Sequence, residues 1–229
     1  MVSTILFDLD DTLLDFKKSE RVALKATLQQ LGLDPCEEIL TRYHDINRQQ
    51  WERLELGEIT REQVLRLRFS LLFEEYGIDK TAEMAKVTYE KLLGEQVFFV
   101  SDAVNILRAL SQEYTLYLIT NGTSHIQRRR LENAGILPYF ADIFISHEIG
   151  FNKPDPRYFE YCFEHIPSFE KEKTVIIGDS LSSDIKGGNS VGVRTCWFNP
   201  SHQIANHEIA KPNYEFEALT HLPQLLAKL

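Results

Sequence analysis

Five short apolar runs constrain what this chain can fold into more than any other feature. They fall at residues 4–7, 115–120, 142–146, 174–178 and 194–198, are rich in Ile, Val, Leu and Phe, and are bounded by turn or helix-start residues. None alternates strictly between apolar and polar, which is the pattern of strands buried on both faces, as in parallel sheets. Helical patterns separate the later runs. Residues 102–111 place Val104, Leu107 and Leu110 on one face, 127–134 stop at Gly135, and 157–164 start behind Pro156. Alternating strands and helices predict an α/β fold with a parallel sheet.

Residues 15–96 break that alternation and read as consecutive helices. Ile39, Tyr43, Ile46 and Leu54 recur near the helical period, and Gly57 precedes Thr60-Arg61-Glu62-Gln63, a capping-box pattern that opens a further helix. No repeat or low-complexity linker separates this stretch from the rest, so a helical lid packed on an α/β core is expected rather than a tethered module.

Charge narrows the partners. With 25 Lys+Arg against 34 Asp+Glu, the formal net charge is −9. A nucleic acid polymer held by blanket phosphate neutralisation needs a basic face and is not expected, whereas a small phosphorylated metabolite remains open because a bound cation reverses the local field. Cys36, Cys162 and Cys196 form no CxxC pair and read as buried structural thiols in a reducing compartment. No apolar run approaches the roughly 18 residues of a membrane span, so no membrane partner and a cytoplasmic location are expected.

The chemistry concentrates where the runs end. The first leads into Phe7-Asp8-Leu9-Asp10-Asp11-Thr12-Leu13, placing several carboxylates at the carboxyl edge of a buried strand, where open α/β sheets bind ligands. Two carboxylates about 4 Å apart repel by about 4 kcal/mol at an effective dielectric of 20, enough to raise a pKa or recruit a cation. A helix cap or turn explains one such Asp easily and three poorly. The fourth run ends in Gly178-Asp179-Ser180-Leu181-Ser182-Ser183-Asp184, a second acid cluster at the same edge, although Asp184 could equally cap the next helix. Oxygen-only ligands without His or Cys suit a hard cation such as Mg²⁺. The second run ends in Thr120-Asn121-Gly122, donors ahead of a helix N-terminus that can hold an anion, and Lys153 can balance both an Asp and a phosphate.

These residues resemble the haloacid dehalogenase superfamily of phosphohydrolases, whose four motifs occur here in order: Asp8, Asp10 and Thr12; Thr120-Asn121; Lys153; and Gly178-Asp179 with Asp184. The resemblance implies a Rossmann-like parallel core, residues 1–14 and 97–229, with an inserted all-helical C1 cap at 15–96. It implies Asp8 as the nucleophile that forms an aspartyl-phosphate, and Asp10 as acid toward the leaving oxygen and then base toward water. Thr120, the Asn121 backbone and Lys153 would hold the phosphoryl group. Asp8, Asp10 through its backbone carbonyl, Asp179 and Asp184 would be the Mg²⁺ partners, Asp184 either as a ligand or one step behind. Dehalogenases of the superfamily lack the acid at the Asp10 position, so Asp10 points to phosphoryl transfer.

Closer similarity runs through Asp10 to Phe16, through Gly178 to Gly188 and through Cys196-Trp197-Phe198-Asn199-Pro200, and resembles the pyrimidine 5′-nucleotidase branch. The expected substrate is accordingly a pyrimidine nucleoside monophosphate. Phosphoglycolate and sugar-phosphate phosphatases and β-phosphoglucomutase-like mutases share the cap, and a phospho-ligand binding module is the non-enzymatic alternative. Phe16, Tyr43 and Trp51 are candidates to meet the base, although aromatic residues at helical spacing are more often core. His125 reads as a partly exposed first-turn residue, and Arg128-Arg129-Arg130 as a solvated helix face.

Overall fold

A computed structural model describes residues 1–229. The first strand, β1 (Thr4–Phe7), is followed by four helices, α1 (Phe16–Gln30), α2 (Glu37–Glu55), α3 (Arg61–Glu75) and α4 (Ala82–Gly94). Then come α5 (Ala103–Leu110), β2 (Thr115–Thr120), α6 (Ser124–Ala134), β3 (Asp142–Ile145), α7 (Ser146–Ile149) and α8 (Pro156–His165). The chain ends with β4 (Thr174–Gly178), a π turn at Leu181–Ile185, α9 (Lys186–Val191), β5 (Arg194–Phe198), β6 (Tyr214–Phe216) and α10 (Leu222–Leu226).

All six strands are parallel, in the order β3-β2-β1-β4-β5-β6. The expected Rossmann-like α/β core is therefore present, with one strand more than the apolar runs indicate. β6 escapes that reading because it has three residues and exposes Tyr214 and Glu215. Alternate residues of each strand face opposite layers. Ile5, Phe7, Leu118, Val175, Ile177 and Phe198 pack with α5 and α10, while Leu6, Ile119 and Ile176 pack with Tyr158, Phe159 and Cys162 of α8. Cys162 and Cys196 are buried as expected, and burial pushes the Cys196 thiol up to about 12. Cys36 departs from the expectation: it sits at the start of α2 and is exposed.

The insert builds its own core from Leu24, Tyr43, Phe69, Leu72 and Tyr89, with α1 against α4 and α2 against α3. The Thr60 capping box forms as the sequence suggests. Thr60 Oγ1 accepts from the Gln63 amide at 3.3 Å, and Gln63 Oε1 accepts from the Thr60 amide at 2.8 Å. Both connections between this helical unit and the sheet run side by side, because the Asp15 amide donates to Phe98 O at 2.8 Å and the Val100 amide to Leu13 O at 3.0 Å. No helix is long and apolar enough to cross a membrane.

The strand order positions the site. From β1 the chain moves outward through β2 to β3, then returns to the other side of β1 through β4. Its direction of travel therefore reverses at β1, and in such sheets a crevice opens there beyond the carboxyl ends of the strands. Phe7 lies level with Leu118 and Ile177, so Asp8, the end of β2 and Gly178-Asp179 emerge at one edge.

Candidate active site

The acids after β1 divide by backbone geometry. Asp8 is still in register, its amide donating to Ile177 O at 2.8 Å, and the residue is buried at 6% exposure. Asp11 has φ +59°, in the left-handed region that favours glycine and that Asp tolerates better than most residues. Its Oδ1 accepts from the amides of Phe16 at 3.0 Å and Lys17 at 3.2 Å, and Asp15 accepts from the Lys18 amide at 2.9 Å. Asp11 and Asp15 thus serve the start of α1, leaving Asp8 and Asp10 to the crevice.

Lys153 joins the two acid clusters. It is 1% exposed, and its Nζ donates to Asp8 Oδ1 at 2.6 Å, Asp184 Oδ1 at 2.7 Å and Ile119 O at 3.0 Å. Burial disfavours its charge, but Asp184 and Asp8 more than offset that and hold its pKa above the usual lysine value. Asp184 does not cap the following helix. Its second oxygen accepts from the Ser180 amide at 3.2 Å, folding the carboxyl back toward the strand end. Gly178 makes that possible, because a Cβ there would lie 2.2 Å from Asp184 Oδ2. Gly187 and Gly188 give close packing against Phe159 and Thr195.

Asp179 is half-buried, with Thr12 Oγ1 3.5 Å from its Oδ1, and one oxygen each of Asp8, Asp179 and Asp184 lies within 4.8 Å of the others. Lys153 bonds two of these three carboxylates. Burial pushes the Asp8 pKa up to about 7, with Lys153 opposing and Asp184 adding; burial, then Asp8 and Asp184, also hold Asp179 well above its ordinary value. Carboxylates crowded out of water in this way are relieved by a cation, and an oxygen-only donor set fits a hard divalent one.

Asn121 closes a reciprocal clasp with the Lys153 backbone: its Nδ2 donates to Lys153 O and its Oδ1 accepts from the Lys153 amide, both at 2.9 Å. The second and third motif segments are thereby fixed to each other. Thr120 is buried, and its Oγ1 accepts from Gln127 Nε2 at 2.8 Å. The same Gln127 nitrogen donates to Asp10 Oδ2 at 2.8 Å, and Arg130 Nη1 donates to Asp10 Oδ1 at 2.5 Å. Arg130 is fully buried, which corrects the reading of Arg128-Arg129-Arg130 as one solvated face. Arg128 and Arg129 are exposed, in ion pairs with Glu148 at 2.6 Å and Glu95 at 3.1 Å, while the third arginine turns inward to a carboxylate. Gln127 and Arg130 were not singled out from the sequence; their i,i+3 spacing, which puts them on one face of the helix behind Thr120-Asn121, is the signal that would have found them.

Over these groups lies a cavity of about 190 Å³. Asp8, Asp10, Thr120, Asn121, Lys153, Asp179 and Asp184 all line its sheet side, so every candidate catalytic, phosphate-binding and metal residue meets there. The helical unit contributes Phe16, Trp51, Glu55, Leu65, Arg68 and Leu93. Tyr43 instead belongs to the insert's own core, and His125 is exposed in the first turn of α6. Glu55, at the end of α2, accepts from Ser182 Oγ at 2.9 Å, and burial pushes its pKa up to about 7.

The family model of the haloacid dehalogenase-like hydrolases matches residues 2–192. The HAD-hydrolase YfnB of Bacillus subtilis is 41% identical over 223 residues, covering 97% of this chain and 94% of its own. Its crystal structure, bound to magnesium, superposes with a TM-score of 0.92 at 40% identity and 98% coverage of both chains. The pyrimidine 5′-nucleotidase PynA of Streptococcus pneumoniae is 40% identical over 225 residues (98% and 94% of the two chains), and YjjG of Escherichia coli, of the same name, 30% over 224 (98% and 97%).

Proposed function

The chain belongs to the haloacid dehalogenase-like hydrolase family, and on that premise we propose that it is a Mg²⁺-dependent 5′-nucleotidase acting on pyrimidine nucleoside monophosphates through an aspartyl-phosphate. The observation that carries the reading is the array of Asp8, Lys153, Asp184 and Asp179 at the floor of a cavity whose other wall is helical and largely apolar. The two relatives named pyrimidine 5′-nucleotidase, matched over nearly the whole chain, support the substrate class. Residues 1–14 and 97–229 form the catalytic core in this reading, and 15–96 the cap. A cytoplasmic setting is in keeping with three unpaired cysteines.

Asp8 attacks phosphorus, forming the aspartyl-phosphate bond as the bond to the 5′ oxygen breaks. Asp10 gives its proton to that departing oxygen, then takes one from the water that attacks the aspartyl-phosphate and releases inorganic phosphate. Arg130 and Gln127 fix where the Asp10 carboxyl sits for both steps. Lys153 and Thr120, with the Asn121 backbone, hold the phosphoryl oxygens as their charge develops. Asp8, Asp179 and the Asp10 carbonyl would hold Mg²⁺, with Asp184 behind them because both its oxygens are already engaged. When bound, the ion offsets the repulsion between the Asp8 carboxylate and the phosphate.

A panel of UMP, TMP, phosphoglycolate and glucose 1-phosphate with MgCl₂ tests the reading through released phosphate. Preference for the two nucleotides is expected, with turnover abolished in Asp8→Asn protein that keeps its circular dichroism spectrum. Isomerised sugar phosphate would mean a mutase, and preference for phosphoglycolate a different phosphatase. Full activity of the Asp8→Asn protein would remove the nucleophile assignment.

A further inference from the structure

Arg68 is the only cation among the helical residues that line the cavity, and it is not satisfied. The side chain is 2% exposed. Its Nη1 donates to Asn47 Oδ1 at 3.3 Å, but Nε and Nη2 have no hydrogen-bond partner, and Glu90 Oε1, also unpartnered, lies 3.9 Å from Nη2. The guanidinium rests over the rings of Tyr89, at 4.7 Å, and Phe69, at 5.6 Å, so it is held in place rather than free to reach solvent. Arg68 also interrupts the buried stripe Leu65, Phe69 and Leu72 of α3, a position where an apolar side chain would pack without burying a charge. A preorganised fork with spare donors, on the wall of a cavity that already has a phosphate end, fits a ligand group rather than the fold.

The surrounding charge says which group. Glu90 stands beside Arg68, Glu20 holds Asn47 by accepting from its Nδ2 at 2.6 Å, and Glu55 shares the cavity wall. A second anion on the ligand would meet those carboxylates; a neutral carbonyl oxygen would accept from the guanidinium without that repulsion. Phe16, Trp51, Leu65, Leu93 and Ile126 supply the apolar surface on which a flat ring can lie. We propose that Arg68 is the specificity-determining residue that reads the base, its guanidinium donating to a carbonyl oxygen of the pyrimidine ring. This rests on the nucleotidase reading and adds to it the group that selects the leaving nucleoside.

UMP and ribose 5-phosphate share the 5′-phosphoryl ribose and differ by the ring, so their comparison isolates the contact. Arg68→Met, and Arg68→Met combined with Glu90→Gln to spare the fold a stranded carboxylate, are assayed on both substrates with Mg²⁺, with melting temperatures checked. A loss of about 30-fold in kcat/KM on UMP is expected, against a change within about threefold on ribose 5-phosphate. Equal losses on both substrates would make Arg68 structural, and undiminished turnover of UMP would show that it does not touch the base; either overturns the proposal. If phosphoglycolate is the substrate that wild type prefers and the variants lose, Arg68 reads an anion and the proposal is wrong. Failure of the nucleotidase reading shows separately, as wild-type protein that turns over UMP no better than ribose 5-phosphate.

Discussion

Asp10 shows how far a candidate acid–base residue depends on neighbours that no motif names. Its two oxygens are held by Arg130 at 2.5 Å and Gln127 at 2.8 Å, both from α6. Replacing Arg130 by Met keeps an unbranched apolar stem but removes the guanidinium, which lies 5.5 Å from the Phe16 ring centre, and so frees one Asp10 oxygen from its donor. Loss of the whole acid–base group typically costs about a hundredfold to ten-thousandfold, so losing one of its two anchors is expected to lower kcat by about tenfold or more, with KM moving less. Steady-state kinetics at saturating Mg²⁺ checks this, and an unchanged kcat would mean that Gln127 alone holds the carboxyl. Asp8, Asp10 and Asp179 were legible in the sequence because acids clustered at strand ends have few bland explanations, whereas Lys153, in a loop where a surface lysine is the default, stood out only through the motif order of the resemblance. Arg130, Gln127 and Arg68 were not, because a polar residue on a helix is ordinary until the packing shows which face turns inward.

Among the elements, β4 and the π turn behind it illustrate a glycine required by proximity. Gly178 has an ordinary φ, yet a Cβ there would meet Asp184 at 2.2 to 2.7 Å across three atoms. Gly178→Ala must displace the Asp184 carboxyl, and with it the 2.7 Å bond to Lys153 and the bond from the Ser180 amide. Overpacking of this sort costs about 1–3 kcal/mol, and turnover is expected to fall well beyond what lost stability explains. Denaturant unfolding alongside kinetics separates the two, and a variant of wild-type activity would show that Asp184 tolerates the shift. The same strand marks what the sequence conveyed about elements. β1, β2, β3, β4 and β5 match the five apolar runs, because a strand covered on both faces is dominated by apolar residues. β6 was missed because three edge residues with one face in solvent carry no such signature, and the π turn because its shape follows from folding Asp184 back rather than from local propensity.

At the scale of the whole molecule, two hydrophobic cores meet across the cavity. Arg61 at the start of α3 donates to Ser146 Oγ at 2.5 Å and to Asn152 next to Lys153, and Ser182 donates to Glu55. The helical unit therefore touches the segments that carry Lys153 and Asp184. In this arrangement the net charge of −9 has a local expression: one oxygen each of Asp8, Asp179 and Asp184 lies within 4.8 Å of the others with one lysine beside them, a repulsion that destabilises the folded chain unless a cation or a proton enters. A ligand that binds only the folded state stabilises it by about 2.7 kcal/mol at a hundred times its Kd. For a chain of this size that corresponds to a rise of roughly 5–10 °C in melting temperature. Mg²⁺ added to EDTA-treated protein is therefore expected to raise the Tm by several degrees. Asp179→Asn should act in two directions, raising the Tm of the metal-free protein by relieving repulsion and abolishing the Mg²⁺-dependent rise. Differential scanning calorimetry of both proteins with and without Mg²⁺ reads the two effects in one experiment. A Tm in wild type that ignores Mg²⁺ would mean that Lys153 alone balances the cluster and that the carboxylates are not an ion seat.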